Sequence, residues 1–213
     1  MRRPAAEGGK GTLMSGAEEP VAGAILLDDV GPEFFATVDR KLKSKSVRVL
    51  LCGASLSGSV PKPDDFNRYL RYEIRRRLEE DGTRVVLGED EQLYDALRKA
   101  ARMEVGLADF ELILAAYSVN LVVMFPCSPG SFAELGMFAL AEQTAGRLII
   151  VIDGREDHSG GFVTRGPVVQ AKENGGRVRC LRYDDIDGIW DFVKETVNRE
   201  RLRQVRNETL RPR

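Results

Sequence analysis

Hydrophobic residues follow two alternating patterns along this chain. Short segments rich in aliphatic residues, of which Leu121–Phe125 is an unbroken apolar run, predict strands. The predicted strands are Val47–Cys52, Arg84–Leu87, Leu121–Phe125, Leu148–Ile152 and Arg177–Tyr183. Longer segments carry apolar residues every three or four positions and predict helices at Asp65–Asp81, Gln92–Tyr117 with a break near Gly106, Ser131–Glu142 and Ile186 to about Arg203. Strands that alternate with helices predict an α/β fold, a Rossmann-like three-layer sandwich with a mainly parallel sheet and helices on both faces.

The composition changes at both ends of this regular pattern. Residues 1–19 are rich in Gly, Ala, Glu and Pro and predict a disordered tail. Residues 20–45 predict a helical extension, because Phe34, Phe35 and Val38 recur at helical spacing and are expected to cover an edge of the core. The Rossmann-like domain is therefore predicted to span 46–203, followed by a basic tail over 204–213.

Composition and charge exclude several classes of protein. The 213 residues are 43% hydrophobic, enough for one core, and a net charge of -1 provides no broad positive field for a nucleic-acid polymer. Three separated cysteines predict no disulfide framework and a reducing, cytoplasmic location, and a single histidine argues against a His-based metal site. No metal, cofactor or membrane span is predicted, since no apolar run is long enough to cross a bilayer.

The most informative segment is Asn120–Glu142, in which an apolar run, a Pro/Ser/Gly turn and a helix follow one another. Unpaired N–H groups around Ser128, Gly130 and Ser131, together with the helix dipole, predict an anion cradle. Glu134 is expected in the first helical turn, beside this cradle. An alternative needs no ligand: Ser131 and Glu134 fit an S-x-x-E capping box.

A second turn follows the first predicted strand. Gly53 and Ala54 allow close approach of a ligand, and Ser55 and Ser57 offer hydroxyl groups to phosphate or ribose. Because ligands of parallel sheets bind beyond the carboxyl ends of the strands, both turns are predicted to form one site. The alternative is a surface loop that caps the next helix.

The motifs VLLCGAS, DGTRVVLGED, ALRKAARMEV and PCSPGSFAELG resemble the SLOG group of Rossmann-like proteins, which includes cytokinin-activating phosphoribohydrolases of the Lonely Guy type. Their phosphate-loop motif is P-G-G-x-G-T-x-x-E, and Gly130–Glu134 matches its second half with Ser in place of Thr. Cys127-Ser128-Pro129 replaces the paired glycines. Arg102 or Arg98 stands where those enzymes carry a substrate-binding and catalytic arginine.

The run ELGMFALAE is also similar to the E-L-G-x-A segment of nucleoside 2-deoxyribosyltransferases, in which that Glu is the nucleophile. Both resemblances place Glu134 at the N-glycosidic bond of a nucleotide or nucleoside substrate and imply cleavage of that bond or base transfer. Bacterial retron defence systems include effectors of the deoxyribosyltransferase-like kind, and the chain resembles these as well.

Several roles remain open. Arg102 is expected at a phosphate, and the second acid, which would protonate the leaving base, is Asp109 or a neighbour from the set Glu89, Asp90 and Glu104. The resemblance implies a homo-oligomer, and apolar residues on more than one side of the helix after Gly136, namely Met137, Phe138 and Leu140, predict burial all round. Two alternatives to an enzyme are a non-catalytic nucleotide sensor and a defence effector controlled by a protein partner.

Overall fold

The structure is a computed structural model that describes residues 31–155 and 161–210. The chain divides at Thr37 into two units, and Val38–Arg213 contains the whole sheet. The strands are β1 Arg48–Cys52, β2 Arg84–Val86, β3 Leu121–Met124, β4 Leu148–Asp153 and β5 Arg177–Leu181. The helices are α1 Pro32–Lys43, α2 Phe66–Glu80, α3 Glu91–Ala101, α4 Leu107–Ile113, α5 Pro129–Leu140, α6 Glu142–Ala145, α7 Phe162–Arg165, α8 Pro167–Glu173 and α9 Ile186–Leu210, with a π-helical turn at Leu114–Ser118.

The sheet confirms the predicted α/β class. Its five strands pair in parallel in the order β2-β1-β3-β4-β5. The chain first adds β2 on one side of β1 and then crosses back to add β3 on the other side. Connections therefore leave the carboxyl ends of β1 and β3 in opposite directions, which opens a crevice between those two ends.

Alternate strand residues pack against opposite helical layers. Val49 and Leu51 of β1 belong to a core cluster that also contains residues of α2 and α9. Leu50 and Cys52 point to the other face, into a cluster with residues of α4, α5 and α8. Since side chains alternate along a strand, this two-residue period fixes Cys52 on the α4–α5 side of the sheet.

Helix α2 largely follows its predicted pattern. Leu70, Ile74 and Leu78 are fully buried, whereas Phe66, the first residue of the expected stripe, is exposed. The Phe66 ring instead lies under the guanidinium of Arg155. Its place at the first residue of the helix, beyond the edge of the core, explains this difference.

Two apolar segments are more exposed than the sequence predicts. No residue of α1 is buried, and the expectation that Phe34 and its neighbours cover an edge of the core stays a prediction. In α5, Phe138 is buried but Leu140 is 75% exposed, so this chain alone does not bury the helix on all sides. Burial of that face by a second copy stays a prediction.

Helix α9 continues to Leu210, past the expected end near Arg203. No Gly or Pro occurs between Arg203 and Leu210, and ion pairs between Arg199 and Glu195 and between Arg203 and Glu200 support the exposed turns. Much of the expected basic tail is thus helical. The expected disordered tail, 1–19, lies outside the described residues, and the domain boundaries stay predictions. None of the described helices is long and apolar enough to cross a membrane.

Candidate functional site

The turn between β3 and α5 is held together by two serines. Ser128 is the N-cap of α5, and its Oγ accepts a hydrogen bond from Ser131 N at 3.2 Å. Ser131 Oγ accepts in return from the backbone N–H groups of Cys127 and Ser128, both at 2.9 Å. The capping box therefore joins Ser128 to Ser131, and the helix begins at Pro129. Because three N–H groups are satisfied within the turn, the expected cradle of unpaired donors is not formed by these groups.

Because the two serines cap the helix, Glu134 takes no part in the cap. The alternative in which Ser131 and Glu134 cap the helix is wrong, as is the expectation that Glu134 lies in the first turn. Its carboxyl lies in the second turn of α5 and interacts with the thiol of Cys52 at the end of β1. Glu134 therefore faces the crevice between β1 and β3.

A second carboxyl reaches the same place from α4. Glu111 is only 8% exposed, and its Oε1 would lie 2.3 Å from a Cβ added to Gly88, which follows β2. Glycine at position 88 thus makes room for this carboxyl. No protein hydrogen bond engages the Glu111 side chain within residues 31–155 and 161–210, so its polar atoms are available to a ligand.

A buried arginine forms the floor of the site. The Arg71 guanidinium, from α2, makes a two-pronged ion pair with Glu89, with Nη1–Oε1 and Nη2–Oε2 distances of 2.7 and 2.8 Å. Arg71 is 2% exposed. Its charge acts on Glu111, Glu134 and Cys52 alike.

These charges separate the proton affinities of the two site carboxyls. Burial, the charge of Glu134 and the charge of Glu89 raise the pKa of Glu111 to about 7, against a weaker opposing effect of Arg71. Burial also raises the pKa of Glu134, but there Arg71 and the Cys52 thiol favour the ionised form. Burial raises the pKa of Cys52 strongly, so its thiol stays protonated. Glu111 is therefore the carboxyl whose pKa lies near neutrality, whereas Arg71 and the Cys52 thiol favour the ionised form of Glu134.

The turn after β1 is also held internally. Arg68 donates to the carbonyl oxygens of Ser55 and Ser57, and the two serine hydroxyls lie 2.9 Å apart. Gly53 has a φ of +149°, and a Cβ there would lie 3.2 Å from the carbonyl oxygen of Phe125, so β1 and β3 come close together at this edge. Gly53, Ala54, Ser55 and Ser57 follow β1 at this edge of the sheet, and their membership of a binding site stays a prediction.

Two predicted catalytic residues lie elsewhere. Arg102 ends α3 in the left-handed conformation, with φ 55°, and lines a surface cleft of about 450 Å³ with Arg98, Lys99 and Glu104. Asp109 is exposed in the first turn of α4, beside Gly106. No contact of either residue with Glu134 occurs in the part of the chain that the structure describes. Their catalytic roles stay predictions that their positions do not support.

Sequence reasoning missed Arg71 and Glu111. Arg71 is one of several arginines on α2, and only its burial distinguishes it. Glu111 did carry a signal, since it is the single charge in the apolar segment ELILAAY. Glu89 was considered only as one of several second acids. The described ranges contain no group of three or more His, Cys, Asp or Glu side chains arranged to hold a metal ion.

Comparison with known proteins finds one matching family model and one relative. The family model described as "STM3845 retron effector protein" matches residues 67–212, more than half of the chain. A relative from Escherichia coli, "Retron Ec86 putative ribosyltransferase/DNA-binding protein", is 38% identical over 113 residues. That alignment covers 53% of this chain and 36% of the relative, so the chain matches well under two thirds of that protein's length.

Proposed function

This chain belongs to the STM3845 retron effector family. From that premise we propose that it cleaves the N-glycosidic bond of a nucleoside or nucleotide, either by hydrolysis or by base transfer. The observation that carries the proposal is the position of Glu134, which serves no cap and faces the β1–β3 crevice beside Cys52 and a second carboxyl, Glu111. The word ribosyltransferase in the relative's name is consistent with chemistry at the anomeric carbon of a sugar. The likeness to SLOG proteins and nucleoside deoxyribosyltransferases belongs to the same proposal.

The chemistry follows from two carboxyls in different protonation states. Cleavage of a base–sugar bond develops positive charge at C1′, as in glycoside hydrolysis, so ionised Glu134 stabilises that charge or attacks the carbon. The departing base needs a proton. Glu111, with a pKa of about 7, is protonated often enough near neutrality to donate it. Glu111 thus takes the second-acid role for which the sequence offered Asp109.

The remaining predicted contacts concern the sugar. Gly53, Ala54, Ser55 and Ser57 follow β1, and Ser128, Gly130 and Ser131 follow β3. We propose that these two turns hold the sugar or phosphate oxygens. For Ser131 this requires exchange of hydrogen bonds that its hydroxyl and N–H group make within the turn.

The test is release of free base by the purified protein from pooled nucleosides, nucleotides and NAD, read by mass spectrometry. We expect Glu134→Gln to abolish release and Glu111→Gln to reduce it by about 10² to 10⁴-fold, the usual contribution of a general acid. Glu142→Gln, which neutralises an exposed carboxyl on the next helix, is the matched control and should keep full activity. Folding of each variant is checked by circular dichroism and thermal unfolding.

A fully active, folded Glu134→Gln variant would refute the proposed chemistry. If no pooled compound is turned over but a nucleotide raises the melting temperature, the chain is instead a sensor, because a ligand bound only by the folded state stabilises it. Control by a protein partner in the retron system is proposed from family membership. It is tested by repeating the base-release assay with the co-expressed retron components.

A further inference from the structure

Every N–H donor of the Arg71 side chain is used inside the protein. Its Nε and Nη2 donate to the carbonyl oxygen of Leu51, at 3.2 and 2.6 Å. Its Nη1 donates to the carbonyl oxygen of Ala54 at 2.8 Å, and Nη1 and Nη2 each donate to one oxygen of Glu89. A guanidinium has five N–H donors, so none remains for a ligand. Arg71 is therefore poorly suited to bind substrate directly.

These hydrogen bonds join segments that are distant in the sequence. Leu51 belongs to the end of β1, Ala54 to the turn after it, and Glu89 to the connection between β2 and α3. Glu89 Oε1 also accepts from Leu56 N at 3.1 Å, which ties the β1 turn to the β2 connection a second time. Arg71 thus fixes the backbone on both sides of Cys52, whose thiol contacts Glu134. The planar guanidinium suits this task, since lysine could not make so many directed bonds at once.

The same ion pair lies within the electrostatic reach of both site carboxyls. The charged and titratable groups that face Glu111 are Arg71 from α2, Glu89 from the β2–α3 connection, Glu134 from α5 and Cys52 from β1. Glu89 raises the pKa of both Glu111 and Glu134, whereas Arg71 lowers both. After burial, which is the largest cause of both shifts, the charges of this pair contribute in opposite directions to the pKa values of the two carboxyls.

We propose that Arg71 is a positioning residue, which with Glu89 holds the ends of β1 and β2 in register around Glu134 and Glu111 and sets the charge that these two carboxyls experience. The consequence for catalysis rests on the proposed function. The hydrogen bonds of Arg71 and Glu89 do not depend on that function, because they are all made without a ligand.

The decisive variant is Glu89→Gln, which removes the negative charge but keeps the shape of the side chain and an amide oxygen for Leu56 N. The Glu89 charge, which raises the pKa of Glu111, is then absent and the Arg71 charge is no longer neutralised, so the pKa of Glu111 should fall, by about one unit. The shift is measured by ¹³C NMR titration of protein with labelled glutamate carboxyls, in which Glu111→Gln assigns the signal. Glu73→Gln, which neutralises another arginine-paired glutamate on α2, is the matched control and should leave that pKa unchanged.

Arg71→Met provides the opposite change and should raise the pKa of Glu111. If that variant fails to fold, Glu89→Gln still decides the question. In the base-release assay, Glu89→Gln should move the alkaline limb of the rate profile to lower pH by the same amount that NMR records.

An unchanged pKa of Glu111 in folded Glu89→Gln would overturn the proposal that the Arg71–Glu89 pair sets the charge at the two carboxyls. Because the NMR titration needs no substrate, it separates two failures. Absence of base release from every compound refutes the enzymatic proposal but leaves the NMR result standing. Base release with no shift in either the NMR titration or the rate profile refutes the role of the ion pair alone.

Discussion

Replacement of Gly88 by alanine offers a direct test of the Glu111 carboxyl, because it displaces that group without removing it. Gly88 lies outside the left-handed region of backbone conformation, so alanine causes no backbone strain there. Its new Cβ would lie 2.3 Å from Oε1 and 3.1 Å from Cδ of Glu111. Ordinary van der Waals contact requires a displacement of about 1 Å. The atoms that must move are the far end of a flexible side chain.

The expected effects on stability and on catalysis therefore differ in size. Overpacking typically costs about 1–3 kcal/mol, and loss of glycine freedom in the unfolded chain returns roughly 0.4–1 kcal/mol, so the free energy of unfolding should fall by about 1 kcal/mol. A catalytic group misplaced by about 1 Å can cost roughly 10²-fold in rate, or about 2.7 kcal/mol of activation free energy. The loss of activity should exceed the loss of stability.

Both quantities are measured on the same protein, stability by urea unfolding and activity by base release. Gly136→Ala is the control, because it lies on α5 two residues after Glu134 and a Cβ there meets nothing within 4 Å. It should keep full activity and gain up to about 1 kcal/mol from improved helix propensity. Wild-type base release by Gly88→Ala, together with an impaired Glu111→Gln variant, would refute the idea that the carboxyl must occupy this place. A loss of stability above about 3 kcal/mol would show that Glu111 cannot move aside.

Two further predictions concern stability. The pKa of Glu111 is raised from 4.5 to about 7 on folding, so the folded protein keeps a proton that the unfolded chain releases in that window. The free energy of unfolding should therefore fall by at most about 3 kcal/mol as pH rises from about 4.5 to 7. Urea unfolding of Glu111→Gln should lack this pH-dependent loss of stability. An identical pH dependence in the variant and the wild type would contradict the raised pKa of Glu111. At the opposite end of α2, Asp81→Ala leaves the buried guanidinium of Arg201 without its partner at 2.7 Å and should cost about 3 kcal/mol, with base release per folded molecule unchanged. A loss below about 1 kcal/mol in urea unfolding would show that the remaining hydrogen bonds of Arg201 are sufficient.

The three central strands of the sheet, β1, β3 and β4, could be predicted because they are buried on both faces. Such strands form short continuous apolar runs, and Leu148–Asp153 remains recognisable without any knowledge of its neighbours. The strand order could not be predicted in this way. Which side of β1 receives β3 depends on packing of α2 and α5 against opposite faces, so the position of the crevice required the structure.

Errors in the helices have local physical causes. The start of α5 was predicted at Ser131 from helix formers and apolar spacing, but Ser128 followed by Pro129 fits an earlier helix start, with proline at the first helical position. The end of α9 was placed too early because a run of charged residues was interpreted as a solvated tail. Pairs such as Glu195 with Arg199 instead support the helix.

Within the site, sequence reasoning identified Glu134 but not the groups that determine its charge. Glu134 follows a turn whose composition is unusual by itself. Arg71 could not be distinguished from Arg68, Arg75, Arg76 and Arg77, because only its burial sets it apart, and that burial depends on how α2 packs. Electrostatic neighbours from four separate segments cannot be grouped before the fold is known.

The capping of α5 bears on whether Glu134 has a structural or a functional role. Ser128 and Ser131 already satisfy the turn, so the helix gains nothing from a carboxyl at position 134. Burial of that carboxyl near Glu111 is unfavourable, as the raised pKa values of both groups record. A side chain selected for stability alone would be apolar at either position, since burial of a charge costs more than a hydrophobic residue of similar size. Two carboxyls that the fold does not need, placed at the one edge where strand order opens a crevice, are better explained by chemistry on a ligand.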